Sequence, residues 1–286
     1  MNPGNIFQMN EFRADLHCHS TCSDGTFTPA EIITLAQKIG LKAISITDHD
    51  NISAYDEAIP LCRELKIELL TGVELSSSYE DKSVHILGYG FTPNNPIIQA
   101  FCNRHAERRT SRNTAILELL KKHGMPLTQE EITPPPTTFK PSIGRPHIAL
   151  AMVKRGYTTS LQEAFKKYLA EGRPCYTHGT VFSVEETLET IHQAGGLAII
   201  AHPHLIPNQQ ILRSMLEMKF DGIECYYGNF GPDQHKRWLE IAKKKDWLIT
   251  GGSDFHGSNK PMIDLGCSWI GEDTFQALKE RLKNKE

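Results

Sequence analysis

Apolar and polar positions follow two rhythms along the chain. Short β-rich runs over 13–18, 42–47, 68–73, 84–89, 197–201, 222–226 and 248–252 predict strands. Between them, apolar positions three and four apart predict helices over 29–39, 53–65, 183–193, 209–218, 234–245 and 274–283. The first helix has a well-marked start: Thr28 can cap it, Pro29 suits its first turn, and Glu31 stands at the third helical position. Strands alternating with helices argue for an α/β architecture with a mostly parallel sheet.

The alternation breaks between the fourth and fifth strands. From 94 to 172 only helical patterns occur, with a proline-rich turn at 133–136. Ile116, Leu119 and Leu120 supply one apolar face, and Ile148, Met152 and Val153 another. So long a stretch is not a loop; it reads as a helical subdomain inserted in a barrel. The expected organisation is a barrel of residues 1–93 and 173–286, with 94–172 inserted as a lid. There are no repeats and no low-complexity tracts.

Composition narrows the class. With 39% hydrophobic and 23% charged residues in 286, the chain suits a soluble globular protein with a sizeable core. A net charge of -3 does not suggest a binder of duplex DNA or of a membrane surface. No run approaches the ~20 apolar residues of a membrane span, and residues 1–13 lack the apolar core of a signal peptide. Seven scattered cysteines favour reduced thiols and a cytoplasmic location. Nothing calls for an obligate protein partner. The thirteen histidines carry most of the remaining information.

The first strand ends in Asp15-Leu16-His17-Cys18-His19, where alternation projects His17 and His19 together and turns Cys18 away. Alone, the pair could be two unrelated polar residues. Other strand ends change that: Thr47-Asp48-His49-Asp50, Gly72-Val73-Glu74, Ala201-His202-Pro203, and Gly252-Ser253-Asp254-Phe255-His256. His85, near the start of the fourth strand, is the exception. C-terminal strand ends of parallel barrels converge on one mouth, and a core would not gather so many unpaired titratable groups. A metal centre is the expectation.

These segments resemble the polymerase-and-histidinol-phosphatase (PHP) family of trinuclear metal phosphoesterases, whose fold is a distorted seven-stranded β/α (TIM-like) barrel. The similarity lies in DLHCHS, SDG, TDHD, GVEL, AHP and GSDFHG, in order along nearly the whole chain. The resemblance implies one metal on His17, His19, Glu74 and Asp254, and a second sharing Glu74 with His85 and His202. It implies a third on Asp24, His49 and His256. Asp24 and the insertion, with IGRPHIA at 143–149 and KYLAEGRP at 167–174, resemble one branch of the family. That branch contains nucleoside 3',5'-bisphosphate phosphatases that double as 5'-to-3' exoribonucleases on short RNA. His204 departs from it, standing where a glycine is expected.

Three divalent ions against three carboxylates and neutral imidazoles leave an electropositive site. Such a site binds a phosphate dianion and lowers the pKa of a bridging water toward ~7. The resulting metal-bound hydroxide would attack phosphorus in line. The donor set suits manganese first, with iron or zinc as alternatives, and argues against magnesium or calcium alone. Asp48 faces away from His49 and is expected to support the ligands from behind. Arg104, Arg108 and Arg112, spaced by four with Arg109 beside them, form a basic helical face; Arg145 and His147 form a second patch. A solvated helix face would look the same, but in a lid over a phosphate site these groups would clamp a second phosphate or an RNA backbone. Cys18 and Cys22 read as ordinary buried cysteines, and His105, His123, His178, His192 and His235 as residues without convergent partners. The expected substrate is a small nucleotide or short RNA. The alternatives are phosphatase action on a non-nucleotide ester such as histidinol phosphate, a module keeping metals only for structure, and a basic nucleic-acid binding module.

Overall fold

The computed structural model describes residues 11–134, 141–179, 182–206 and 208–285. It opens with β1 (Ala14–Cys18), α1 (Pro29–Lys38), β2 (Ala43–Ile46), α2 (Tyr55–Leu65), β3 (Glu68–Leu69), β4 (Gly72–Tyr79) and β5 (Lys82–Tyr89). Helices α3 (Pro96–Lys122), α4 (Gln129–Ile132), α5 (Arg145–Lys154) and α6 (Leu161–Ala164) follow, the last running into a π-helical turn at Phe165–Leu169. Then come α7 (Val184–Gln193), β6 (Leu197–Ile200), α8 (Gln209–Leu216), β7 (Gly222–Tyr227), α9 (Pro232–Lys245), β8 (Leu248–Gly252) and α10 (Glu272–Lys283).

Helix α1 starts as its sequence predicts. Thr28 Oγ1 accepts the Glu31 N–H at 3.2 Å and Glu31 Oε2 accepts the Thr28 N–H at 2.7 Å. Its buried face, Ile32, Ile33 and Ala36, packs in one cluster with Ala58 and Cys62 of α2.

The strands form a mixed α/β fold of two sheets. In the first, β1, β2 and β3 run parallel. The second has the order β4-β5-β6-β7-β8, antiparallel at β4–β5 and β5–β6 and parallel beyond. Isolated contacts join the two: Asp254 N–H donates to His17 O at 2.7 Å, and Glu74 N–H to Thr47 O at 3.2 Å. The ladders do not run on into one closed ring.

The predicted strand at 68–73 is broken because the chain changes partner within it. Leu70 N–H still bonds to Ile44 O at 3.0 Å, whereas Gly72 already pairs with Tyr89 of β5. Strand β4 then runs on to Tyr79 and turns through Glu80 and Asp81, both at positive φ (48° and 61°). That hairpin geometry usually announces itself as Asn-Gly, and this turn carries no such signature. Because β5 runs antiparallel, its start lies beside the ends of its neighbours: His85 pairs opposite Ser76, and its carbonyl accepts the Ala201 N–H at 3.3 Å. The one exceptional histidine is thereby brought to the common end.

Between β5 and α7 the described residues form only helices, with a core of their own. Ile116 and Leu120 of α3 pack there with Ile148 and Met152 of α5, and Leu119 sits at its edge. Each such buried side chain contributes roughly 1.5–3 kcal/mol. Of the expected proline-rich turn, Pro135 and Pro136 lie outside the described residues.

Candidate active site

Strand β1 delivers His17 and His19 fully buried, their Nε2 atoms 3.1 Å apart. Glu74 of β4 places Oε2 3.4 Å from His17 Nε2 and 3.1 Å from His19 Nε2. Asp254, just past β8, places Oδ1 3.5 Å and 3.3 Å from the same two atoms. The other Glu74 oxygen lies 2.8 Å from both His85 Nδ1 and His202 Nε2. Asp24 sits 3.8 Å from His49 Nε2 and 3.4 Å from His256 Nε2. All nine side chains that the resemblance implies as metal ligands therefore converge. Three overlapping groups could each hold an ion: His19, Asp24, His49 and His256; His17, His19 and Asp254; and His49, Glu74 and His85.

Buried His19 Nδ1 has no hydrogen-bond partner, and His49 Nδ1, 3.2 Å from Glu74 Oε2, is not aligned to bond it. Such stranded atoms are costly, and imidazole nitrogens mixed with carboxylate oxygens are a donor set that divalent transition metals take. The residues fit metal ions. Burial alone would raise the Glu74 pKa, but the imidazoles of His49, His85 and His17 hold it well below the carboxylate range. Asp24 is held down in the same way, against burial, by His256 and His49. Burial pushes His49 down to about 3, against the pull of Glu74 and Asp24. His19 goes the other way: against burial, Asp254 and Glu74 raise it to about 9, so an arriving cation must displace a proton.

Behind these groups stand buried carboxylates. Asp48 accepts the Ser20 N–H at 2.8 Å and the hydroxyls of Ser20 and Ser23, fastening the loop that presents Asp24. Asp15 accepts the N–H groups of Ser253 at 2.9 Å and Gly266 at 2.8 Å, tying the β8 end to β1. Glu224 of β7 was not singled out by the sequence motifs. Its Oε1 lies 2.8 Å from His17 Nδ1, and its Oε2 accepts the His202 N–H at 2.6 Å. The signal was a lone acid in an otherwise apolar stretch of strand. Asp50, His202 and Asp254 take left-handed backbone conformations, with φ of 53°, 24° and 57°. Strain of this kind, when the surroundings enforce it, gathers at functional sites.

Beside Asp24, His49 and His85 lies a cleft lined by Arg108, Arg109, Arg112 and Arg145. Arg109 is already engaged: its Nε donates to Asp50 Oδ2 at 2.7 Å and its Nη2 to Ser76 Oγ at 3.0 Å. Among the described residues, no carboxylate pairs with Arg108, Arg112 or Arg145. Burial, and then neighbouring guanidiniums, depress the pKa of Arg112, whose Nε has no hydrogen-bond partner. The expected basic face is split, because eight residues at about 100° each leave Arg104 and Arg112 some 80° apart. Arg104 instead reaches Glu186 at 2.7 Å and covers the ring of Phe182, and it does not itself line the cleft. His147 is turned to local work: its Nδ1 accepts the Gly144 N–H at 3.1 Å at the start of α5, and it does not line the cleft. His178, expected to lack convergent partners, lines the cleft and meets the Tyr176 hydroxyl at 3.0 Å.

A different wall adjoins His202 and Asp254. The Tyr227 hydroxyl donates to Asp254 Oδ2 at 2.6 Å, and Lys260 Nζ reaches the same oxygen at 2.6 Å. His204 packs its ring 4.4 Å from Tyr227 and 4.5 Å from Phe230.

A PHP domain model matches residues 15–225. A 5'-3' exoribonuclease from Haemophilus influenzae is 33% identical over 261 residues, covering 90% of this chain and 91% of that protein. A 3',5'-nucleoside bisphosphate phosphatase from Chromobacterium violaceum is 31% identical over 88% of this chain and 90% of its own. A crystal structure from Bifidobacterium adolescentis, assigned as a metal-dependent phosphoesterase, matches with a TM-score of 0.83 and 32% identity, covering 94% and 96% of the two chains. With the domain match spanning most of its length and a converged cluster of metal-type ligands, the chain belongs to the PHP-domain family and is an enzyme with phosphoesterase activity.

Proposed function

We propose that this enzyme removes the 3'-phosphate from nucleoside 3',5'-bisphosphates and trims short RNA from its 5' end. The carrying observation is the arginine cleft set directly beside the cluster of histidines and carboxylates. A substrate with two phosphates a ribose apart can place one at each. Three divalent ions, manganese first and iron or zinc next, would be held by His17, His19, Glu74 and Asp254; by Glu74, His85 and His202; and by Asp24, His49 and His256. Bound there, they would supply the Lewis acidity and the activated water that phosphoester hydrolysis needs. The chain's own residues do the rest. Arg112, Arg108 and Arg145 bind and orient the second phosphate, Asp48 holds the Asp24 loop, and the partly buried cleft limits water around the guanidiniums. We read the two bridged sheets as a distorted seven-stranded barrel of residues 1–93 and 173–286, with 94–172 as its substrate lid. The unpaired cysteines suit a cytoplasmic enzyme.

A phosphate-release screen with manganese tests this on nucleoside 3',5'-bisphosphates, nucleoside monophosphates, 5'-phosphorylated short RNA and histidinol phosphate. The bisphosphate and the RNA should lead by at least tenfold in kcat/KM. A preference for histidinol phosphate would replace the nucleotide reading and leave the phosphoesterase intact. Glu74→Ala should abolish turnover and remove more than one equivalent of bound metal.

A further inference from the structure

We infer that His204 and Phe230, with Tyr227 between the site and their rings, form a stacking wall for the base of the nucleotide downstream of the scissile phosphate. The inference rests on the nucleotide reading above and concerns the opposite flank of the same site. The arginine cleft touches Asp24, His49 and His85, but not His202 or Asp254. Those two ligands are flanked instead by aromatic rings. Tyr227 is fastened to Asp254 through its hydroxyl, and its ring lies 6.1 Å from that of His202. The His204 ring lies 6.5 Å from His202 and 4.4 Å from Tyr227, and Phe230 completes the group 4.5 Å from His204 and 5.5 Å from Tyr227. All three rings are half-buried and Leu205 beside them is 55% exposed, so the wall borders open solvent. His204 Nδ1 is buried without a hydrogen-bond partner, which leaves the ring to act through its face and edge.

Such a surface has a role with one substrate and not with the other. In both, the oxygen of water forms a new bond to phosphorus, the bond from phosphorus to O3' breaks, and a proton goes to O3'. The nucleoside that leaves carries its 5'-phosphate in the arginine cleft. In a bisphosphate, nothing further hangs on the attacked phosphorus. In RNA that phosphorus also carries the next nucleoside, which must lie on the flank away from the arginines. Aromatic faces stack any base without regard to sequence, which suits stepwise trimming. A glycine at 204, as expected from the branch this chain resembles, would leave a gap in that wall.

The test compares His204→Gly and Phe230→Ala with the unaltered enzyme, using a nucleoside 3',5'-bisphosphate and a 5'-phosphorylated dinucleotide. Each variant should lose about tenfold more kcat/KM on the dinucleotide than on the bisphosphate. A dinucleotide with an abasic downstream residue should lose about the same with the unaltered enzyme, and little further with either variant. Equal losses on both substrates, or full losses on the abasic substrate, would overturn the wall. Failure of the unaltered enzyme on both nucleotides would overturn the nucleotide reading instead. Thermal melts within a few degrees of the unaltered enzyme show that the variants are folded. Should Phe230→Ala not fold, Phe230→Leu keeps the bulk and removes the stacking face.

Discussion

Glu224 touches two metal-type residues at once, accepting from the His17 ring with one oxygen and from the His202 backbone with the other. Both donors need an acceptor, and a glutamine offers only one. Glu224→Gln should therefore release His17 or His202 from its orientation and weaken metal binding by about 10–100-fold. Elemental analysis after dialysis against dilute manganese should show a loss near one ion per chain, with circular dichroism unchanged; full occupancy would end the argument. A second consequence concerns protons. The metal-free His19 ring, raised to about 9 by Asp254 and Glu74 against its burial, is protonated at neutral pH. A cation binds only the deprotonated ring, so affinity climbs as pH rises toward about 9 and levels above it. Calorimetric titration with manganese between pH 7 and 9 should show proton release on binding; an affinity flat across that range would contradict it. The sequence displayed His17 and His19 because their spacing is local. Glu224 stands far along the chain from His17, and its one local mark, a lone acid in an apolar strand, does not say which residues it meets.

At the scale of elements, α3 serves the site in two ways that its sequence does not separate. Its period of four correctly gathers Arg108 and Arg112, but Arg109 turns to meet Asp50, in a conformation that also bonds Asp50 Oδ1 to the Ser76 N–H at 2.7 Å. Against burial, Arg109 and His105 hold the Asp50 carboxyl far below its usual range, so the pair is charged. Arg109→Ala leaves that carboxylate buried without its guanidinium partner and should cost about 3–5 kcal/mol, read as a lower midpoint in urea. Arg112→Ala removes a desolvated cation with no carboxylate partner. It should leave stability nearly unchanged while lowering kcat/KM for a bisphosphate by roughly ten- to a hundredfold. An aryl phosphate, which has no second phosphate, should be affected far less. If Arg112→Ala harmed both substrates alike, the cleft would not be a second-phosphate site. His85 teaches a similar lesson about strands. Its position in the sequence looked wrong for a mouth of parallel strand ends, and only the antiparallel direction of β5 corrects it. Strand direction depends on which edge is free to pair, and hydrophobic alternation carries no record of that.

Across the whole molecule, the candidate ligands come from β1, the loop after it, the ends of β2 and β6, strands β4 and β5, and the segment after β8. Ions at this cluster would add a cross-link between the two sheets, which isolated bridges, the Asp15 bonds and a shared apolar cluster already join. The motifs made most of this convergence legible because His17, His19, His49, His202, Asp254 and His256 sit at or just past strand ends, whereas Asp24 in a loop and His85 in an antiparallel strand do not. Sheet closure was not legible, because it depends on edge pairing at Leu70 and Gly72 that no local pattern encodes. A ligand that binds only the folded state stabilises it by about 2.7 kcal/mol at a hundred times its dissociation constant. For a chain of this size that corresponds to about 4–5 °C in Tm. Chelation should lower Tm by that amount, and manganese added back should restore it. The helices packed around Ile116, Leu120, Ile148 and Met152 contribute no candidate ligand and have their own core. Hydrogen exchange should therefore rise on chelation at β1, β4 and β8, and much less in α3 beyond Asn113 and in α5. A uniform rise would mean that the helices and sheets unfold as one unit. No rise at β1 and β8 would mean that the cluster does not hold the sheets together, and the metal centre would then be a catalytic feature without a structural role.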